Sequence, residues 1–142
     1  MKIVLDTNIW LSGLFWEGEA SKIIEFSEKK KIKIIISQDI LEEIREILNR
    51  ETKFMQLLDN KKTRIEDLIR TILSIAQLIK RTSNIKLIKK DPDDNIIIET
   101  ARDAKAKYII TYDKHLLEAK EFKGIKIKSP EEFLEQYNKN IL

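Results

Sequence analysis

Lys2-Ile3-Val4-Leu5-Asp6-Thr7-Asn8 begins as a short apolar, β-branched run and passes without a break into three polar residues. Such a run reads as a buried strand that ends in a loop. The same grammar recurs at Ile32 to Ile36 before Ser37-Gln38-Asp39, and at Tyr108-Ile109-Ile110-Thr111 before Asp113. Ile125 to Lys128 gives a further strand. Helical stretches fill the intervals: about Ile9 to Phe15, Ala20 to Lys30, Asp91 to Ala106, Asp113 to Glu121 and Pro130 to Asn138. Ile40, Leu41, Ile44, Ile47 and Leu48 follow helical spacing after the second strand. Short strands alternating with helices predict an α/β fold of three layers, with a central parallel sheet covered by helices on both faces.

One stretch breaks the alternation. Glu51 to Asn60 reads as a short helix and turn. Thr63 to Arg81 reads as a long amphipathic helix built on Ile65, Leu68, Ile69, Ile72, Leu73, Ala76 and Ile79. Together, at about 51–81, they predict an inserted helical hairpin rather than a second domain, so residues 1–142 are read as one domain. Ile85 to Ile88 reads as a short extended piece.

Composition narrows the chemistry. Apolar residues make up 42% of the 142, which argues against disorder. With no Cys, disulfides, thiolate metal sites and cysteine nucleophiles are excluded. A single His removes most His-based metal sites and weakens a Ser-His-Asp reading. The formal net charge of +3 suits a polyanionic partner without requiring one. No apolar run approaches the roughly 20 residues that span a bilayer, and no signal peptide is evident, so a cytoplasmic location away from membranes is expected. No Gly-rich phosphate loop is present, which argues against nucleotide-driven chemistry.

Four carboxylates stand out by position. Asp6 follows the first strand directly, and Asp113 comes just after the strand that Thr111 ends. Ligands in parallel α/β sheets collect at the carboxyl ends of strands, so both acids should lie on that edge. Asp94 shares a helix face with Ile97, Ile98, Ala101 and Lys105, which places it at the head of a mostly apolar stripe. Glu43 borders the stripe of Ile40, Ile44 and Ile47, whereas Glu42 sits nearly opposite. Several acids in one cleft repel each other unless a cation neutralises them. Oxygen-only ligation selects Mg²⁺ or Mn²⁺ over zinc. Such an ion suits hydrolysis of a phosphodiester.

These residues resemble the PIN-domain ribonucleases, over essentially the whole chain. Val4-Leu5-Asp6-Thr7-Asn8 looks like the family's first motif, and Ser37-Gln38-Asp39-Ile40-Leu41-Glu42-Glu43-Ile44 like the helix that carries its Glu, here Glu43. Asp91-Pro92-Asp93-Asp94-Asn95 followed by Ile96 to Ala101 looks like the third motif, whose spacing to the small Ala selects Asp94. Ile110-Thr111-Tyr112-Asp113-Lys114-His115-Leu116 looks like the fourth, with Asp113 as its acid. The Asp-Pro-Asp-Asp-Asn form is similar to a VapC-like subgroup described as toxins of toxin–antitoxin pairs. The resemblance implies a Mg²⁺- or Mn²⁺-dependent endoribonuclease, with Asp6, Glu43, Asp94 and Asp113 holding the ion. It also implies a homodimer restrained by a cognate antitoxin, and secondary roles for Asn8 and Thr111. Many relatives carry an acid where this chain has His115, its only His. That imidazole could ligate Mn²⁺ or meet a phosphate when protonated.

Lysine clusters at Lys29-Lys30-Lys31, Lys61-Lys62, Lys80-Arg81 and Lys89-Lys90 are candidate RNA contacts. Trp10 reads as core and Trp16 as interface. Two rival classes are weighed. A catalytically inactive PIN-fold module would bind RNA or a protein partner without cutting, but degenerate members usually lose acids that this chain keeps. An Asp-x-Asp phosphatase would want an acid at Asn8, and a receiver paired acids after its first strand.

Overall fold

The computed structural model describes residues 1–29, 32–81 and 92–141, without the side chains of 92–95 and 139–141. The chain starts with β1 (Lys2–Leu5), α1 (Thr7–Phe15), α2 (Glu19–Glu28) and β2 (Lys33–Ser37). Three helices follow: α3 (Gln38–Arg50), α4 (Thr52–Asn60) and α5 (Ile65–Ile75). Then come β3 (Gln77–Ile79), α6 (Pro92–Ala104), β4 (Tyr108–Ile110) and α7 (Lys114–Ala119). The chain closes with β5 (Glu121–Phe122), β6 (Ile125–Lys128) and α8 (Pro130–Ile141).

Among the described residues six strands join one sheet in the order β3-β2-β1-β4-β6-β5. Every pairing is parallel except the β5–β6 hairpin. Ile3, Val4 and Leu5 of β1 and Ile34, Ile35 and Ile36 of β2 are all buried. Successive strand residues point to opposite faces, so helices cover both sides, as the uninterrupted apolar runs require. α6 lies against β1, β2 and β4, and α8 packs on β6 and α2. This is the expected three-layer α/β arrangement. No helix among the described residues is long and apolar enough to cross a membrane.

The chain moves outward from β1 to β2 and β3, then returns to place β4 on the other side of β1. The direction of winding therefore reverses between β1 and β4. In open α/β sheets the crevice at such a reversal is where ligands bind.

The expectation of one long helix from Thr63 to Arg81 is corrected. α5 ends at Ile75, and Gln77 to Ile79 form β3, in parallel register with Ile35, Ile36 and Ser37 of β2. The helical hairpin is thus α4 and α5, and its last few residues belong to the sheet. The backbone of Ala76 turns extended at φ −109° and ψ 153°, which ends the helix without Gly or Pro. The helix expected to run to Glu121 also stops early, at Ala119, because Glu121 and Phe122 pair with Lys126 and Ile125. The extended piece expected at Ile85 to Ile88 lies outside the described residues, as do Lys30, Lys31, Lys89, Lys90 and Asp91.

Candidate active site

Asp6 and Asp113 cap the helices that leave β1 and β4. Asp6 Oδ1 accepts the Thr7 amide at 2.7 Å and caps α1. Asp113 Oδ1 accepts the amides of His115 at 2.8 Å and Leu116 at 3.3 Å and caps α7. Carboxylates are favoured there because the first amides of a helix lack internal partners and carry partial positive charge.

A single hydroxyl ties the two acids together. Thr111 is fully buried, and its Oγ1 donates to Asp6 Oδ2 at 2.7 Å. The same oxygen accepts the Asp113 amide at 3.0 Å. The backbone is fixed as well, since the Asp6 amide donates to Ile110 O at 2.9 Å and the Thr111 amide to Lys128 O at 3.0 Å. Both carboxylates are half-buried at the winding reversal. No hydrogen bond reaches Asp113 Oδ2 among the described residues, which leaves an anionic oxygen for a ligand. Next to it, burial and a 2.8 Å hydrogen bond to Glu131 push the Tyr112 phenol up to about 12.

Glu43 sits half-buried on α3, and Glu42 is exposed, in the orientation its helix stripe predicts. It lines a cleft of about 350 Å³ with Asp39, Glu42 and Glu46, faced by Ile96 of α6. Asp94 falls in the first turn of α6 by backbone, and its side chain lies outside the described residues. Ile97, Ile98 and Ala101, which share its helix face, are buried. Asn8 is exposed in the first turn of α1, and His115 contributes its amide to Asp113 while its ring is exposed. Asp6, Thr111 and Asp113 are thus brought together, whereas Glu43 lies with the acids of α3. Among the described residues no three His, Asp or Glu stand close enough to hold a metal ion.

One group of residues escaped the sequence reading. Arg81, read with Lys80 as a candidate RNA contact, bridges two elements. Its Nε donates to Asp39 Oδ2 at 2.7 Å, and its Nη1 pairs with Glu99 Oε2. Glu99 is 2% exposed, so Arg81 links α6 to α3 with its Glu99 end buried and its Asp39 end half-buried. A buried contact at the same junction joins Thr100 Oγ1 to Ser37 Oγ at 2.9 Å. No local sequence signal marked this pair: only the folded chain buries Ile97 to Ala101 throughout, which obliges Glu99 to find a cation.

Comparison with known proteins agrees with this fold. A family model described as PIN domain matches residues 2–115. None of the curated proteins matches. Among solved structures, a chain of VapBC2 from Rickettsia felis bound to a DNA fragment from their promoter is similar in fold. The TM-score is 0.64 at 17% identity, over 91% of this chain and 98% of that one. Since the family model spans residues 2–115, most of the sequence, the chain belongs to the PIN domain family, a family of nucleases.

Proposed function

We propose that this protein is a divalent-metal-dependent endoribonuclease that acts as the toxin of a toxin–antitoxin pair. The observation that carries the reading is the Thr111 hydroxyl, which donates to the Asp6 carboxylate and accepts the Asp113 backbone amide where the sheet reverses its winding. The donor set fits Mg²⁺ or Mn²⁺, because it offers carboxylate oxygens and no thiolate. Asp6 and Asp113 would hold the ion, with Glu43 and Asp94 completing the set. Such an ion polarises a phosphate oxygen and lowers the pKa of attacking water. The protein's part is orientation: Thr111 sets the Asp6 carboxylate, and the α7 amides set Asp113. His115 and Asn8, both exposed, would serve as secondary groups around the ion or the RNA phosphate.

An antitoxin partner is supported by the likeness to a VapBC2 chain. Exposed Trp16, Met55, Leu73 and Leu78 offer apolar surface for that partner or for a second copy in a homodimer. The test is cleavage of a 5′-labelled RNA with Mg²⁺, with Mn²⁺ and with chelator. Asp6→Asn and Asp94→Asn should each lower the rate by about 100-fold or more, as expected when a charge-stabilising ligand is lost. Full cleavage by Asp94→Asn would remove the metal reading. RNA binding without cleavage under every ion condition would make the chain a binding module.

A further inference from the structure

The amino ends of β1, β2 and β4 gather lysines. β1 and β2 begin at Lys2 and Lys33, which stand directly opposite each other in register. Lys107 leads into β4, and its amide donates to Lys2 O at 2.8 Å. Beside them a pocket of about 380 Å³ opens where α6 ends and the β5–β6 hairpin turns. Arg102, Lys105 and Lys123 line it together with Phe122. All three cations are exposed, and none enters a salt bridge among the described residues.

Two of these lysines occupy backbone positions that disfavour them. Lys105 has φ 55° and Lys123 has φ 45°, in the left-handed region where a side chain is strained. Lys105 closes α6, with its amide on Arg102 O at 3.1 Å and the Ala106 amide on Ala101 O at 2.9 Å. Helix ends of that form favour glycine. Lys123 and Gly124, at φ 45° and 88°, make the two-residue turn between β5 and β6, where Asn-Gly is the relaxed pair. The helix dipole gives a reason for cations at Arg102 and Lys105. It gives none for Lys123, which sits on a turn of the hairpin. Strained positions from two unconnected elements therefore bring cations into one pocket.

We propose that this pocket binds the phosphate backbone of an RNA strand, as a contact remote from the carboxylate edge. The choice of RNA as the polyanion rests on the nuclease reading. Phe122 packs half-buried against the core, and Lys123 Nζ lies over its ring, 5.6 Å from the centroid, which holds that ammonium at the pocket wall. Lys107, Lys2 and Lys33 extend the positive charge along the sheet end, as a strand of regularly spaced phosphates requires.

The test is fluorescence anisotropy of the full chain with a labelled 12-nucleotide single-stranded RNA, in chelator so that nothing is cut. The triple variant Arg102→Ala, Lys105→Gly, Lys123→Asn should bind about tenfold more weakly, with a log–log salt slope shallower by about 2. Lys105→Gly and Lys123→Asn alone should each raise the midpoint of thermal unfolding by about 2–4 °C, since strain is relieved. Higher stability with unchanged RNA affinity would assign the lysines a purely structural role and overturn the proposal. Absence of RNA binding by the parent chain, or tighter binding of poly-glutamate than of the RNA, would also overturn it. The nuclease reading stands or falls separately, on cleavage with metal: a chain that cuts no RNA can still lose affinity in the triple variant.

Discussion

Thr111 shows how much one buried hydroxyl can organise. Thr111→Val preserves shape and β-branching but removes the donor to Asp6 Oδ2 and the acceptor for the Asp113 amide. The expected loss is about 1–3 kcal/mol in urea unfolding, the cost of stranding partners in a buried site. Thr111→Ser, which keeps the hydroxyl, should retain more of the stability and of the metal-dependent activity. Arg81 and Glu99 give a sharper case. Arg81→Met leaves the Glu99 carboxylate buried without its cation and should cost about 3 kcal/mol. Adding Glu99→Leu should recover most of that loss, because an apolar pair of similar volume replaces the ions. A double variant no more stable than Arg81→Met would mean that Asp39, rather than Glu99, sets the energetics. Asp6 and Asp113 were legible from residue order alone, since each follows an apolar strand by no more than three positions, whereas Thr111 entered only through the family resemblance. Glu99 was not, because its partner comes from another element and only the folded chain reveals that helix α6 is buried over five successive residues.

Elements that are read from local pattern hold up where packing agrees with the pattern. In α3 the stripe Ile40, Leu41, Ile44 and Leu48 is buried as its spacing predicts. In the α5–β3 region the local signal misleads. Ala76 and Ile79 prolong the helical stripe of Ile65, Ile69 and Ile72, so nothing nearby marks the end. The strand exists because residues 77–79 hydrogen-bond to β2, a pairing across about forty residues of sequence that no window can contain. The α1–α2 contact makes its own prediction. A Cβ on Gly13 would lie 2.6 Å from Ile24 Cδ1 and 3.1 Å from the Ala20 carbonyl oxygen. Gly13→Ala should therefore cost about 1 kcal/mol in thermal unfolding even though Ala is the better helix former, and Ile24→Val in that background should restore part of it. At the start of α8, Ser129 and Glu132 form a reciprocal capping box, with the Ser129 amide on Glu132 Oε1 at 3.1 Å and the Glu132 amide on Ser129 Oγ at 3.2 Å. These bonds hold the Glu132 carboxyl below its ordinary value of 4.5. A lowered folded-state pKa adds stability above that ordinary value and gives it up as pH falls through the folded one. Glu132→Gln should thus melt below the parent at neutral pH, with the gap closing as the pH drops through the acid range.

At the scale of the whole molecule, the sheet separates charge. Carboxylates gather where the strands finish, at Asp6, Asp113 and the acids of α3, and cations gather where they begin. The sequence conveyed the first half of this, since strand-end acids are visible in order. It concealed the second, because Arg102 and Lys105 at the end of α6 meet Lys123 only through the return of the chain at β5 and β6. The margins of the sheet have a consequence of their own. β3 presents three residues at one margin and β5 two at the other. A neighbouring molecule seeking to add its own backbone there would find a template too short to hold it. The folded protein, kept concentrated for days below its melting temperature, should therefore stay free of thioflavin-positive fibrils. Fibril growth from undenatured protein would mean that these brief borders do not protect it.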